Sequence, residues 1–238
     1  MSNNIIFFRD IKFYNISPKK VLDKMIDEGG YLVAPAASSL QTIDNKKLYY
    51  RALKDSTVAI FDSGFFCILL RIFNKVKVNK LSGYLLMKSF LSKTSIKKKR
   101  ILLINPNVNE SKINYRFLKK KKFLNINSYI APQYNAPHLL DDHKLIKVIK
   151  NLKPDIILIN ISGEKQEILA RFIHKKIQNK KISIFCLGAA IGFFTGIQGT
   201  VTVLTDKFYL GWLVRWVRQP LKYCPRVFNS FKLIKLFF

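Results

Sequence analysis

The sequence predicts the α/β class: a mostly parallel, doubly wound sheet with helices on both faces, followed by a basic and aromatic helical appendage. Three observations carry that expectation. Short apolar runs of strand length alternate with helix-compatible stretches from Gly30 to Leu187, the pattern of successive strand–helix units. Acidic or glycine-bearing turns stand where several of those runs hand over to a helix, as in Phe61-Asp62-Ser63-Gly64 and Ser162-Gly163-Glu164. From Thr200 onward the alternation stops, and Trp, Phe, Lys and Arg take over.

Each element follows in order. The first strand is expected over Gly30–Pro35 and the second over Val58–Phe61, with a helix over Thr42–Leu53 between them. The second strand ends at Asp62 before an apolar helix, Gly64–Phe73, and another helix covers Ser82–Leu91. Ile101–Asn105 and Asn125–Ile130 are the next strands, separated by a helix over Glu110–Lys120. A helix over His138–Asn151 leads to the strand Asp155–Ile161. Gly163 then opens a helix over Lys165–Gln178, with Glu164 and Glu167 in its first turn, where carboxylates suit the positive end of the helix dipole. The last strand is Ile182–Leu187, followed by the small-residue loop Gly188 to Gly196.

Ligands of open α/β sheets bind at the carboxyl ends of strands, so the expected ligand edge bears Asp62, Gly163 and Gly188. The lysine runs Lys97–Arg100 and Lys119–Lys122, and the cluster of Lys175, Lys176, Lys180 and Lys181, all precede strands. They fall on the opposite edge and are expected to be solvated or to face another partner.

Composition narrows the partners. Forty-two Lys and Arg against 14 Asp and Glu give a formal net charge of +28, a field that favours nucleic acid, anionic lipid or phosphorylated substrates. An AT-rich genome would raise Lys, Asn and Ile together and accounts for part of the lysine, but poorly for the arginines. No strand interleaves basic and aromatic residues in a recognition motif, so no nucleic-acid partner is expected. The three cysteines, Cys67, Cys186 and Cys224, lie far apart and fit a reducing compartment. His138, His143 and His174 form no ligand pair, and neither a metal nor a cofactor is expected. The apolar run Ile5–Phe8 is too short for a signal peptide.

Two segments allow more than one reading. Ile182–Thr205 carries no charge and is long enough to span a bilayer, with Gly188, Gly192 and Gly196 at four-residue spacing. Its Gly, Thr and strand-like start favour a buried strand and loop. In the tail, Arg215, Arg218, Lys222 and Arg226 recur every three or four residues beside Trp212 and Trp216, and no acidic residue follows Asp206. That composition suits a segment lying in a membrane interface, or an amphipathic helix with its arginines in water. Pro220 and Pro225 would divide such a helix. The expected organisation is a sheet domain over residues 1–199 and an appendage over residues 200–238.

In order and separation, these landmarks resemble the WecG/TagA/CpsF family of bacterial glycosyltransferases, from about Gly30 to Pro220. Ala34-Pro35-Ala36 stands where the family has Thr-Pro-Asn, and Asp62-Ser63-Gly64 resembles its Asp-Gly turn. Ser82-Gly83-Tyr84-Leu85 stands for Ser-Gly-Ser-Asp, and Tyr129-Ile130-Ala131-Pro132 for Tyr-x-Pro-Pro. The best match is Ser162-Gly163-Glu164-Lys165-Gln166-Glu167 to Gly-x-Pro-Lys-Gln-Glu. Gly188 to Gly196 matches Gly-Gly-Ala-Phe-Asp-Phe-Leu-Ala-Gly with Gly192 in place of the aspartate, and Gly211 to Pro220 matches the closing Trp/Arg segment.

The resemblance implies a Rossmann-like fold. It also implies transfer, with inversion, of an N-acetylmannosamine-type sugar from a UDP-sugar donor to a polyprenyl-diphosphate-linked acceptor. The partners would be that donor, a lipid-linked sugar acceptor and an anionic membrane surface, with self-association left open. The place of action would be cytoplasmic, peripheral on the inner face of the cell membrane.

Sugar transfer needs a base for the acceptor hydroxyl and charge stabilisation for the departing diphosphate. Asp62 is the candidate base, or a cap on the following helix. Gln166 would hydrogen-bond the donor and Lys165 touch its phosphates, or both are exposed first-turn residues. Gly163, Gly188 and Gly192 would let backbone approach a ligand, or serve tight packing. Arg215 and Arg218 would grip the diphosphate, or face water. The altered positions at Ala34, Ala36, Tyr84 and Gly192 motivate a rival reading, a member that binds nucleotide sugar or a partner without transfer.

Overall fold

A computed structural model describes residues 4–135, 140–177, 181–197 and 220–238. Its eight strands are β1 (Ile5–Phe8), β2 (Ile11–Tyr14), β3 (Gly30–Val33), β4 (Val58–Ile60), β5 (Arg100–Asn105), β6 (Asn125–Ile130), β7 (Ile156–Ile159) and β8 (Ser183–Cys186). They form one sheet in the order β1-β2-β4-β3-β8-β7-β5-β6. Only β1 runs antiparallel, paired with β2; every other neighbouring pair is parallel. This is the α/β fold the alternation predicts.

The central parallel strands β3, β4, β7 and β8 are buried on both faces because both faces are covered. Tyr31, Val33, Ala59, Phe61, Ile157, Ile159, Ile184 and Cys186 point into one core. There they meet α2 (Ala37–Leu40), α3 (Lys47–Lys54), α4 (Gly64–Phe73), α7 (His143–Leu152) and α8 (Lys165–Lys176). Leu32, Val58, Ile60, Ile156, Leu158 and Phe185 point into the other, covered by α1 (Pro18–Glu28), α5 (Gly83–Ser92) and α6 (Val108–Lys120). The period-two alternation of each strand divides the apolar side chains between the two cores.

All six expected strands are present. The helix expected over Thr42–Leu53 is shorter: α2 ends at Leu40, a run of turns follows, and α3 starts at Lys47. The N-terminal hairpin and α1 lie outside the expected elements. The β1–β2 turn places Arg9 and Asp10 at φ 47° and 58°, the positive values of a two-residue hairpin turn, without the Asn-Gly pair that usually signals one. Ser17 caps α1 by accepting the Lys20 N–H, with Pro18 opening the helix.

The uncharged stretch from Ile182 is strand β8, then a 3-10 turn (Gly188–Ile191) and the short helix α9 (Gly192–Thr195). Residues 198–205 lie outside the described residues. No helix among the described residues is long and apolar enough to cross a membrane. The chain closes with α10 (Pro220–Phe231) and a 3-10 turn over Lys232–Phe237. Leu233 and Leu236 of that turn are buried in the core that holds α3, α4 and α8. The Arg9 guanidinium donates to the Leu236 carbonyl at 3.0 and 2.8 Å, so the first hairpin and the last turn hold each other.

Candidate functional site

The sheet order places the carboxyl ends of β4, β3, β8 and β7 side by side. The two halves of the chain meet at the β3–β8 pair, with β1 to β4 on one side and β5 to β8 on the other. Loops leaving this edge therefore come from distant parts of the sequence and converge there.

Asp62 lies two residues past the end of β4. The helix after it is capped by its neighbour: Ser63 Oγ accepts the Phe66 N–H at 3.3 Å. Asp62 reaches across instead, and its Oδ1 accepts the Gly83 N–H at 2.7 Å, in the first turn of α5. A carboxylate there meets an otherwise unsatisfied helix N–H and the positive end of the dipole. Gly83 also lies close to the turn after β8, at distances that would be ordinary van der Waals contact for a side chain. A Cβ on it would lie 3.5 Å from Ala190 Cβ, 3.6 Å from the Leu187 carbonyl and 3.8 Å from Asp62 Oδ1. Asp62, the start of α5 and the turn after β8 thus form one packed corner. Tyr84 seals it, its ring stacked on Phe194 at 4.9 Å and edge-on to Phe193 at 6.2 Å.

The turn after β7 joins the same corner from the other side. Gln166 is only 4% exposed, and Glu167 only 1%; neither is a solvated first-turn residue. Gln166 Oε1 accepts the Gly188 N–H at 2.8 Å, and its Nε2 donates to Glu167 Oε1 at 2.9 Å. Gly188 has φ +56°, a left-handed conformation that favours glycine. Gly192 is buried at the start of α9. Burial drives the Glu167 pKa up to about 7, against the opposing hydrogen bond from Gln166. Its Oε2 is buried and has no hydrogen-bond partner among the described residues.

Gly163 and Glu164 carry this turn onto the α2–α3 segment. A Cβ on Gly163 would lie 3.4 Å from Ser39 Oγ. Glu164 has φ +68°, an uncommon value for a side-chain-bearing residue. It is held there by Lys46, which pairs with its carboxylate, and by Thr42 Oγ1, which donates to it at 3.3 Å. Lys165, half-buried, is the first residue of α8.

The structure therefore gathers Asp62, Gly163, Lys165, Gln166, Gly188 and Gly192 on one edge, and among them it bonds Gln166 to Gly188. Arg215 and Arg218, with Trp212 and Trp216, lie outside the described residues. Sequence reasoning missed Ser39, the role of Gly83, and a buried amide cluster on the same edge. In that cluster Asn105 Oδ1 accepts from Asn114 Nδ2 at 2.9 Å and from Asn160 Nδ2 at 3.0 Å, and Asn105 Nδ2 donates to Ser111 Oγ at 3.3 Å. A signal was present: β5 and β7 run into the matching ends Leu103-Ile104-Asn105 and Leu158-Ile159-Asn160. Near the end of β6, Asp142 caps α7 and accepts the Tyr129 and Tyr134 hydroxyls at 2.9 and 2.8 Å. Burial, then the bond to Asp142, raises both phenol pKa values.

The model of the glycosyl transferase WecG/TagA/CpsF family matches residues 6–238, nearly the whole chain. No curated protein matches it. The chain belongs to the WecG/TagA/CpsF glycosyltransferase family.

Proposed function

From that membership, we propose that the chain transfers an N-acetylmannosamine-type sugar from a UDP-sugar to a polyprenyl-diphosphate-linked acceptor, for cell-surface polysaccharide synthesis at the inner face of the membrane. The observation that carries the reading is the corner at which Asp62, Gly83 and the Gly188 turn meet on the carboxyl edge of the sheet.

In the proposed reaction the acceptor hydroxyl yields its proton to the Asp62 carboxylate as its oxygen bonds to the anomeric carbon. The bond from that carbon to the diphosphate breaks, UDP leaves with the electron pair, and configuration inverts. The Gly83 N–H holds one Asp62 oxygen at 2.7 Å and so fixes the orientation of the base. The turns at Gly163 and Gly188–Gly192 are proposed as the donor cradle, kept in place by Gln166. Lys165, Arg215 and Arg218 are proposed to meet the diphosphate charge.

A second reading, binding without transfer, is favoured by Gly192, where the family pattern has an aspartate, and by the Tyr84–Phe194 stack at the same corner. Incubating the purified protein with radiolabelled UDP-sugars and a polyprenyl-diphosphate-linked sugar acceptor separates the two. Label appearing in the lipid fraction supports transfer. Donor binding without label transfer, across the common UDP-N-acetylhexosamines, sinks it in favour of the second reading.

A further inference from the structure

Helix α3 carries Lys47, Arg51 and Lys54 at i, i+4 and i+7, a spacing that lines the three cations along one face with Tyr50 beside them. Tyr49, Ala52 and Leu53 occupy the other face and are buried. Like charges at that spacing oppose the helix. Lys47 also stands in the first turn, where the helix dipole disfavours a cation, and no acidic residue offsets it there. Arg171 comes from α8, which packs against α3. Together with Asp55 these side chains line an open groove of about 580 Å³, within the size range of small-molecule sites.

The carboxylates at this groove are already engaged. Asp55 accepts from Arg171 Nε at 2.7 Å. Asp10 accepts from Lys54 Nζ at 3.0 Å and from the Tyr50 hydroxyl at 3.3 Å. Lys47 and Arg51 are exposed and pair with no carboxylate among the described residues. Asp10 directly precedes β2, and Asp55 lies three residues before β4. The engaged end of the groove is therefore at the amino edge of the sheet, away from the Asp62 corner.

This arrangement suits a phosphate-bearing anion, because guanidinium forks and a lysine bind phosphate oxygens well. The groove also selects among anions. A nucleic acid or a lipid surface spreads its charge over a wide face and would meet Asp10 and Asp55. A small anion can sit against Lys47 and Arg51 alone and relieve the repulsion along α3.

We propose that the groove between α3 and α8 binds a small, soluble organic phosphate, held by Lys47 and Arg51 with Arg171 as the facing wall. Its effect would pass through α8, which begins with Lys165, Gln166 and Glu167. Lys46, the residue before α3, pairs with the Glu164 carboxylate at the start of α8, so an anion that steadies α3 steadies that pair. This link to the donor cradle rests on the glycosyltransferase reading; the binding itself does not.

Inorganic pyrophosphate is the probe. It should be titrated calorimetrically into the full chain at about 0.15 M salt, with UDP present to fill the proposed donor cradle. The parent should bind it, and K47A/R51A should bind at least about tenfold more weakly. K98A/K120A, which removes two exposed lysines elsewhere, should bind like the parent. No binding by the parent, full binding by a folded K47A/R51A, or equal weakening in both double variants would each overturn the proposal. Flotation with anionic vesicles that K47A/R51A loses while keeping pyrophosphate would assign the groove to lipid instead. As a check that needs no variant to fold, pyrophosphate should slow acetylation of Lys47 and not of Lys98, and equal protection of the two would count against the site. It should also slow amide exchange over residues 164–168, and unchanged exchange there would break the link to the cradle. Pyrophosphate binding in a protein that transfers no sugar to any acceptor would remove the enzymatic reading and leave the groove standing.

Discussion

The side-chain oxygen of Gln166 accepts the backbone N–H of Gly188 at 2.8 Å, so one amide ties the turn after β7 to the turn after β8. Its other end is held by Glu167, at 2.9 Å. Gln166 therefore acts on the site through the backbone it positions. Gln166→Ala should leave the global fold in place, speed amide exchange over residues 188–196, and lower kcat/KM about 10- to 100-fold. Unchanged exchange in that loop would show that the bond does not hold it.

Gly188 sits at φ +56° beside Gln166, whereas a Cβ on Gly163 would meet only Ser39 Oγ, at 3.4 Å. Gly188→Ala should cost about 1–2 kcal/mol through its left-handed backbone, and Gly163→Ala distinctly less. Urea unfolding of the two variants checks the difference, and equal costs would contradict it.

For Asp62 the proposed role and the structural one separate cleanly. In Asp62→Asn the amide oxygen can still accept the Gly83 N–H, so the melting temperature should stay close to that of the parent. Turnover should fall by about two to four orders of magnitude if the carboxylate is the base. Parent-like turnover in a lipid-acceptor assay would remove Asp62 from the mechanism.

Glu167 makes stability depend on pH. Its folded pKa, raised to about 7 by burial, lies above the ordinary glutamate value of 4.5. Between those two values the folded state binds more protons than the unfolded one, so stability falls as pH rises through that window. The cost is absent below it and fully present above it, on the order of 3 kcal/mol. Glu167→Gln cannot ionise and keeps an oxygen for Gln166 Nε2. Denaturation at pH 5 and pH 8 should show a loss in the parent that the variant largely lacks; equal slopes would mean that Glu167 is not the titrating group.

Asn105 serves three partners in a buried cluster. Asn105→Ala should leave Asn114, Asn160 and Ser111 short of hydrogen bonds and cost about 2–4 kcal/mol. Chemical denaturation gives the value directly, and a loss below about 1 kcal/mol would show that the cluster relaxes around the gap.

The sequence by itself determined the β3–β8 series of strands, the edge on which Asp62, Gly163 and Gly188 fall, and the family. Those depend on local period and on turn chemistry, which neighbouring residues express. Local pattern also left visible traces of what was overlooked, in the Ser17-Pro18 helix start and in the paired strand ends at Asn105 and Asn160. Only the tertiary structure decided who partners whom. Whether Asp62 capped its own helix or another depended on where α5 comes to rest. Whether Gln166 faced water or Gly188 depended on β7 and β8 being neighbours. The first hairpin needed Arg9 and Asp10 in left-handed conformations, and its Arg9 is tied to the Leu236 carbonyl at the far end of the chain. Packing decided which side of the apolar helix α4 is buried, through Phe66 and Leu70, and which is exposed, at Ile68 and Ile72. Each of these is a contact between residues distant in sequence, and such contacts are chosen by the folded chain as a whole.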